Sequence, residues 1–515
     1  MMVFTRLIEA KGLRADMAAL LMGAVAALAL PPLHVLPALL VAFPVLLGQI
    51  GAAGRPRDAL RRGWWFGFGY HLIGLYWITE AILIEAARFW WFVPIAVPSL
   101  AALLAVFIAI PVCAAWFAPR GPARIAALAG AWVLSDLARQ FIATGFPWNP
   151  LGSVWAVPGY FGDVMLQPAS LVSVHGLTLA TIGLACAAAM TWRGRFFCLI
   201  VLQLWAGFGA QRLAEPKPPD QNLTVVLVQG NVPQGQKWDR AFLIGIFERY
   251  LRLSEAGLAA AGSGPRIVVW PETASPFQLE ADAAARAAIA ASGQGEPVLA
   301  GAVRFDSEYR PRNTLFALGR GGAIDGLYDK WHLVPFGEYQ PDWIPIGIQV
   351  VPGGGFARGP GPRTLRVPGV PPVGPLICYE AIFPGQVVDA VDRPDWMVNV
   401  TNDAWFGTST GPRQHLAAAR LRAVEEGLPL LRAANTGISA AFDANGHEIA
   451  RLEMEQTGFR AVILPGPRPP TLFARFGLWI PGLLSAGVLA AGSLTRKMSH
   501  KKDFRSRTVK RSPSN

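Results

Sequence analysis

The sequence is poor in charge, in cysteine and in internal repeats. Charged residues occupy 16% of its 515 positions, against roughly 25% in an ordinary soluble domain. Four cysteines are present, Cys113, Cys186, Cys198 and Cys378. None forms a CxxC or a Cys/His cluster, so neither a disulfide scaffold nor a zinc site has support. Apolar residues make up 52% of the chain and the mean hydropathy is +0.35, which excludes disorder and disfavours a wholly soluble chain. The remaining class is a membrane protein that carries a soluble domain.

Apolar runs suited to spanning a bilayer lie at 15–31, 33–51, 63–82, 92–116, 124–142, 168–190, 195–211 and 472–494. Nothing comparable occurs between 212 and 470. The distribution of the +12 net charge orients these runs. When successive connections are placed on alternate sides, Arg6, Lys11, Arg14, Arg55, Arg57, Arg61, Arg62, Arg120, Arg124, Arg193 and Arg195 share one side with the basic tail. The short loops opposite and the long 212–470 segment are slightly acidic. This is the positive-inside pattern. It leads us to expect a seven-span domain over 1–211, a soluble domain over 222–466 outside the cytoplasm, an eighth span at 472–494, and a cytoplasmic tail over 495–515. Nucleic acid is not an expected partner, because the other loops share the tail's bias and no stacking aromatics interleave it. Pro31-Pro32 directly after the first apolar core makes a poor cleavage site, so the N-terminus reads as an uncleaved helix.

Within the long segment, short β-branched runs occur at Leu223–Gln229, Ile267–Trp270, Val298–Val303, Asn313–Leu318, Val373–Cys378 and Trp396–Val400. Each is bounded by turn residues, as strands are. Helical patterns cover Phe242–Ala261 and Gln414–Arg432. Strands alternating with helices predict an α/β domain between two Pro-rich linkers, 212–221 and 463–471.

Three sequences follow predicted strands, where α/β domains gather their active sites. They are IVVWPET with Glu272, YDKWHLVPFGEY with Lys330 and Glu338, and PLICYEAIFP with Cys378, Tyr379 and Glu380. A cysteine attacks as its thiolate, a carboxylate can take its proton, and an ammonium suits the oxyanion of a tetrahedral intermediate. Glu, Lys and Cys therefore suffice for acyl transfer through a thioester. Their spacing alone does not bring them together.

The order WPE, YDKWHLVPFGEY, CYE resembles the nitrilase superfamily, and more narrowly its membrane-embedded branch, the apolipoprotein N-acyltransferases. Gly145-Phe146-Pro147-Trp148 with Gln167-Pro168-Ala169-Ser170 is similar to that branch. So are Asn402-Asp403-Ala404-Trp405-Phe406-Gly407 with Gly411-Pro412 and Gln414-His415, and Leu430–Gly437. Asn149 departs from the pattern, where an apolar residue is expected. The resemblance implies an eight-span helical bundle plus an α-β-β-α sandwich. It implies Glu272 as general base, Lys330 as oxyanion stabiliser and Cys378 as nucleophile. Glu338, Tyr379 and Glu380 become supporting residues, with an ion pair to Lys330 as the alternative for Glu338 and a structural pair as the alternative for Glu380. Trp238, Trp405 and Phe406 become substrate or lid residues, with core packing as the alternative. His332 reads as structural. No cofactor or metal is implied. The implied reaction moves an acyl chain from a phospholipid to the N-terminal amine of a diacylglyceryl lipoprotein, in a monomeric bacterial inner-membrane enzyme whose catalytic domain is periplasmic. A membrane-tethered amidase using water as acceptor is the alternative.

Overall fold

A computed structural model describes residues 2–84, 86–340 and 355–493. The basic tail over 495–515 and the last residue of the 472–494 run lie outside the described residues. Helices occupy every expected span. They include Leu13–Ala27, Leu39–Ala52, Pro56–Gly74, Val93–Trp116, Pro122–Phe141, Ala169–Ala185 and Trp192–Ala214. The final run is split. A short helix, Leu472–Phe476, stops at Gly477 with φ 56°, and Trp479–Ser493 continues beyond it.

Among the described residues, Trp90–Trp116, Ala169–Ala189 and Trp192–Ala214 are long and apolar enough to cross a membrane; Leu36–Ala52 and Trp479–Ser493 are apolar but shorter. Pro56–Gly74 and Pro122–Phe141 reach the length, yet carry Arg57, Asp58, Arg61 and Arg62, and Arg124, Asp136 and Arg139. Leu103, Ile110, Phe197, Leu204, Trp479 and Leu483 are exposed on the outside of the bundle. So much outward apolar surface suits contact with lipid rather than water.

The soluble part contains two packed sheets. Strands β1 (Thr224–Gln229), β2 (Arg266–Val269), β3 (Val298–Phe305), β4 (Pro311–Leu318) and β5 (Ile324–Asp329) precede β6 (Val373–Ile377), β7 (Trp396–Thr401), β8 (Leu430–Ala434), β9 (Ser439–Phe442), β10 (Glu448–Leu452) and β11 (Gly458–Ile463). One sheet has the order β11-β1-β2-β3-β4-β5 and the other β10-β9-β8-β7-β6. The pairs β1–β2, β2–β3, β6–β7 and β7–β8 are parallel, and the remaining pairs are antiparallel.

Strand periodicity divides the core into layers. Val225 and Leu227 face the second sheet, where they meet Val398, Val400 and Leu431. Val226 and Val228 face the other way, under helices Leu243–Ala260 and Ala283–Ser292. The second sheet covers its outer face with Leu416, Ala419 and Ala423 of helix Gly411–Glu426. The result is the expected α-β-β-α sandwich.

Helix Gly411–Glu426 is buried on all sides, because Ala417, Leu421 and Val424 pack into the core of the membrane helices. Its charged residues find partners there. Arg420 pairs with Asp163 at 2.5 Å, and Glu425 accepts from Ser173 Oγ and Val174 N at 2.8 Å each. This helix ends earlier than the periodicity predicts. Gly427 adopts φ 69° and its N–H returns to Ala423 O, a glycine stop. Residues 430–432, read from sequence as the end of that helix, instead form β8 with Arg432 buried inside it.

Candidate active site

Glu272, Lys330 and Cys378 all follow strands, and they converge in one buried chamber. Glu272 lies just beyond β2, pressed close by β3. A Cβ on Gly301 would stand 2.3 Å from Pro271 O, so glycine is needed there. Lys330 follows β5, its N–H bonded to Asn313 O at 2.9 Å. Cys378 begins the turn Cys378–Ile382 directly after β6, with φ 51°.

The hydrogen bonds converge on Glu272. Its Oε1 accepts from Lys330 Nζ at 3.2 Å and Asn313 Nδ2 at 2.7 Å, and its Oε2 accepts from Asn402 N at 2.8 Å. Lys330 also donates to Glu338 Oε1 at 2.9 Å. Glu338 holds Asn313 Nδ2 at 3.0 Å and Val334 N at 2.8 Å. Glu338 is thus both an ion-pair partner and a brace for the loop after Lys330.

Burial pushes the Glu272 carboxyl up, but Lys330, Lys237 and Asn313 outweigh it and hold its pKa below the ordinary value. Burial, then the Glu272 charge, push the Cys378 thiol well up against the opposing pull of Lys330. Burial also works against the Lys330 ammonium, yet Glu272 and Glu338 raise its pKa strongly. The resting site therefore holds a carboxylate, an ammonium and a neutral thiol. The Glu272 carboxylate could accept a proton, and the Cys378 thiol still carries its own.

Glu380 is fully buried and knits two loops together. Its carboxylate accepts from Ile377 N at 2.6 Å, Trp331 N at 2.7 Å and Tyr328 OH at 3.0 Å. Burial raises its pKa to about 7, against those backbone donors. Tyr379 points the other way and donates to Gly145 O at 2.9 Å, in the loop between the fifth and sixth expected spans. His332 stacks on Phe383, centroids 3.7 Å apart and planes 2° apart, and meets Gln386 Oε1 at 2.8 Å.

Family models match almost the whole layout. The apolipoprotein N-acyltransferase N-terminal domain matches residues 22–187 and carbon-nitrogen hydrolase matches residues 224–464. The chain is 39% identical over 503 residues to the apolipoprotein N-acyltransferase of Rhodopseudomonas palustris, covering 92% of this chain and 93% of that one. It is 40% identical over 496 residues to that of Sinorhizobium medicae (90% and 92%) and 38% identical over 522 residues to that of Brucella melitensis (95% and 97%). The chain belongs to the apolipoprotein N-acyltransferase family.

An aromatic seam joins the site of this family member to its membrane helices. Phe146, Trp148, Trp77, Phe406, Tyr379 and Phe383 pack together with Leu75 and Leu104. Phe406 lies 4.5 Å from Trp77, centroid to centroid. The pair expected to act together thus separates, with Phe406 half-buried in the seam and Trp405 37% exposed. Trp238 is 52% exposed. Asn149, the departure from the family pattern, has a place here. It is buried with φ 53°, which asparagine tolerates. Its Nδ2 donates to Gly74 O and Gln414 Oε1 at 3.0 Å each.

Sequence reasoning missed three contributors. Lys237, beside Trp238, is buried and donates to Glu272 O at 3.1 Å and Thr273 Oγ1 at 2.5 Å. Burial lowers its pKa to about 8, against the pull of Glu272 and Cys378. Asp403 and His415 lie under Cys378, their side-chain ligand atoms and its Sγ within 4.8 Å of one another. Both belong to stretches singled out for resemblance, but nothing in their spacing gave them a role. The trio has the donor types of a metal site. Its atoms are already engaged, however, with His415 bonded through both ring nitrogens and Asp403 paired with Arg432 at 2.6 Å. A cation there would have to displace these bonds beside a guanidinium.

Proposed function

We propose that the protein takes an acyl chain from a phospholipid onto Cys378 and passes it to the α-amine of an N-terminal S-diacylglyceryl-cysteine. The observation that carries this is the buried Glu272–Lys330–Cys378 chamber, tied to the membrane helices through Tyr379 and Gly145.

In the first step Glu272 removes the thiol proton as Sγ attacks the ester carbonyl. Lys330 stabilises the oxyanion. The C–O bond to glycerol breaks, and Glu272 returns the proton to the leaving oxygen, releasing a lysophospholipid. In the second step the neutral amine attacks the thioester. A C–N bond forms, the C–S bond breaks, and one amine proton passes through Glu272 back to sulfur. Glu338 braces Lys330, and Tyr379 and Glu380 set the turn that carries Cys378. Trp238 and Trp405 form an aromatic rim over the acyl chain, with Phe406 as its inner wall.

The membrane helices have a physical reason. Burying a methylene stabilises by about 0.8 kcal/mol, so lifting a chain of about 16 carbons into water costs on the order of 12 kcal/mol. The site must meet the chain at the bilayer. We read the helical part over 1–211 as seven spans, 472–494 as the eighth, and the 222–466 domain as periplasmic at the bacterial inner membrane, working as a monomer. The test is product analysis with phospholipid and a diacylglyceryl peptide. Triacylated peptide and lysophospholipid support the proposal, whereas free fatty acid alone identifies water as the acceptor and supports the tethered hydrolase.

A further inference from the structure

Cys378 is held in a backbone conformation that a residue with a side chain rarely adopts. Its φ of 51° is strained and persists only where neighbours over-determine it. On the upstream side, Glu380 Oε2 holds Ile377 N at 2.6 Å. On the downstream side, His415 meets the Cys378 carbonyl oxygen through Nε2 at 2.9 Å.

A carbonyl oxygen only accepts, so Nε2 carries the proton in this bond whatever the charge of the ring. The ring has little freedom to do anything else. Its Nδ1 faces Asp403 Oδ1 at 3.0 Å and Arg432 Nη2 at 3.2 Å. Asp403 accepts from Thr401 Oγ1 at 3.0 Å and pairs with Arg432 at 2.6 Å, and Arg432 reaches on to Asn399 Oδ1. Burial opposes the Asp403 charge, but Arg432 and His415 hold its carboxyl well below the usual range. His415 and Asp403 are both almost wholly buried, and Trp148 covers the ring with centroids 5.6 Å apart.

We propose that Asp403 and His415 are positioning residues for Cys378: Asp403 fixes Arg432, whose Nη2 donates to His415 Nδ1, and the ring so held fixes the Cys378 carbonyl, and through it the direction of the thiol toward Glu272 and the acyl carbon. Proton transfer stays with Glu272, because the proton-bearing Nε2 of His415 is turned to a carbonyl rather than to sulfur. The chain runs from Arg432 in β8 through Asp403 after β7 to His415 in the buried helix and ends at the nucleophile after β6. One element at the membrane junction thus sets the aim of the attacking atom.

This inference rests on Cys378 being the acylated residue, so the test reports on both. Full-length wild type, His415→Leu, His415→Gln and Cys378→Ala are each incubated with labelled phospholipid in lipid nanodiscs. The acylation rate of the Cys378 peptide is followed by mass spectrometry as lipid concentration varies. Glutamine keeps an N–H donor but cannot act as a base at neutral pH. His415→Leu should slow the maximal acylation rate about tenfold or more, the effect of losing a hydrogen bond worth about 1.4 kcal/mol, while half-saturation stays within about twofold. His415→Gln should recover to within about threefold of wild type. A glutamine variant that folds but acylates no faster than leucine, or a leucine variant at the wild-type rate, overturns the positioning role. If His415→Leu does not fold, the glutamine variant decides alone. Absence of label on wild-type Cys378 would instead remove the acyl-enzyme itself.

Discussion

The Lys330 ammonium donates to Glu272 Oε1 across 3.2 Å, and this bond sets the charge state of the site. Glu338 contacts the same ammonium at 2.9 Å. Removing the cation would leave two carboxylates facing each other in a buried site, and one of them would take up a proton. Lys330→Met should therefore lower the acylation rate by about 10²–10³-fold, the scale of a lost oxyanion donor. Glu338→Gln keeps one acceptor for the ammonium and should cost about tenfold or less. Single-turnover acylation of both variants checks the ordering.

Lys237 sets a pH limit. Its pKa of about 8 means the ammonium that supports Glu272 is present below pH 8 and lost as pH rises through that value. Acyl transfer from phospholipid should decline on an alkaline limb near pH 8. In Lys237→Met the rate should be lower at pH 7 and that limb should disappear. A limb at an unchanged position in the variant would assign it to another group.

Glu380 acts through backbone amides. Its oxygens accept from Ile377 N, Trp331 N and Tyr328 OH. Glu380→Gln replaces one acceptor by an NH₂ that would face these donors, at a cost of about 1–3 kcal/mol. Thermal unfolding should shift down by several degrees, and acylation should fall with it. Glu380→Asp, too short to bridge both loops, should show the same pattern.

Tyr379 tests the link between the two parts of the molecule. Its bond to Gly145 O at 2.9 Å joins the nucleophile's neighbour to the membrane helices. Tyr379→Phe should lose about 0.5–1.5 kcal/mol of stability. Hydrogen exchange should rise in residues 142–148 and 378–383, and not in β1–β3.

Legibility from sequence followed the strength of local pattern. Strands β1, β2, β3, β4, β6 and β7 are runs of apolar, β-branched residues and could be recognised directly. β8 could not, because its Arg432 looks like a solvent-facing helical position and is in fact buried against Asn399 and Asp403. β9, β10 and β11 are short or carry exposed charges such as Glu448 and Arg460, so they lack a periodic signal. Glu272, Lys330 and Cys378 could be picked out as candidates, since each follows a recognisable strand run and their motifs resemble a known family. Lys237 could not, because its role comes from bonding the backbone of Glu272, 35 residues away. The same holds for Asn149, whose Gln414 partner is 265 residues distant. Polar residues that satisfy the chain's own buried groups leave no mark on hydropathy or spacing.

In the proposed reaction Cys378 carries the acyl group. Mass spectrometry of the purified protein after incubation with phospholipid reads this directly. The expected result is one acyl mass on the peptide containing Cys378, absent in Cys378→Ala and discharged by a diacylglyceryl peptide. Equal labelling of Cys378→Ala, or an acyl mass on any other residue that discharges in the same way, would contradict it.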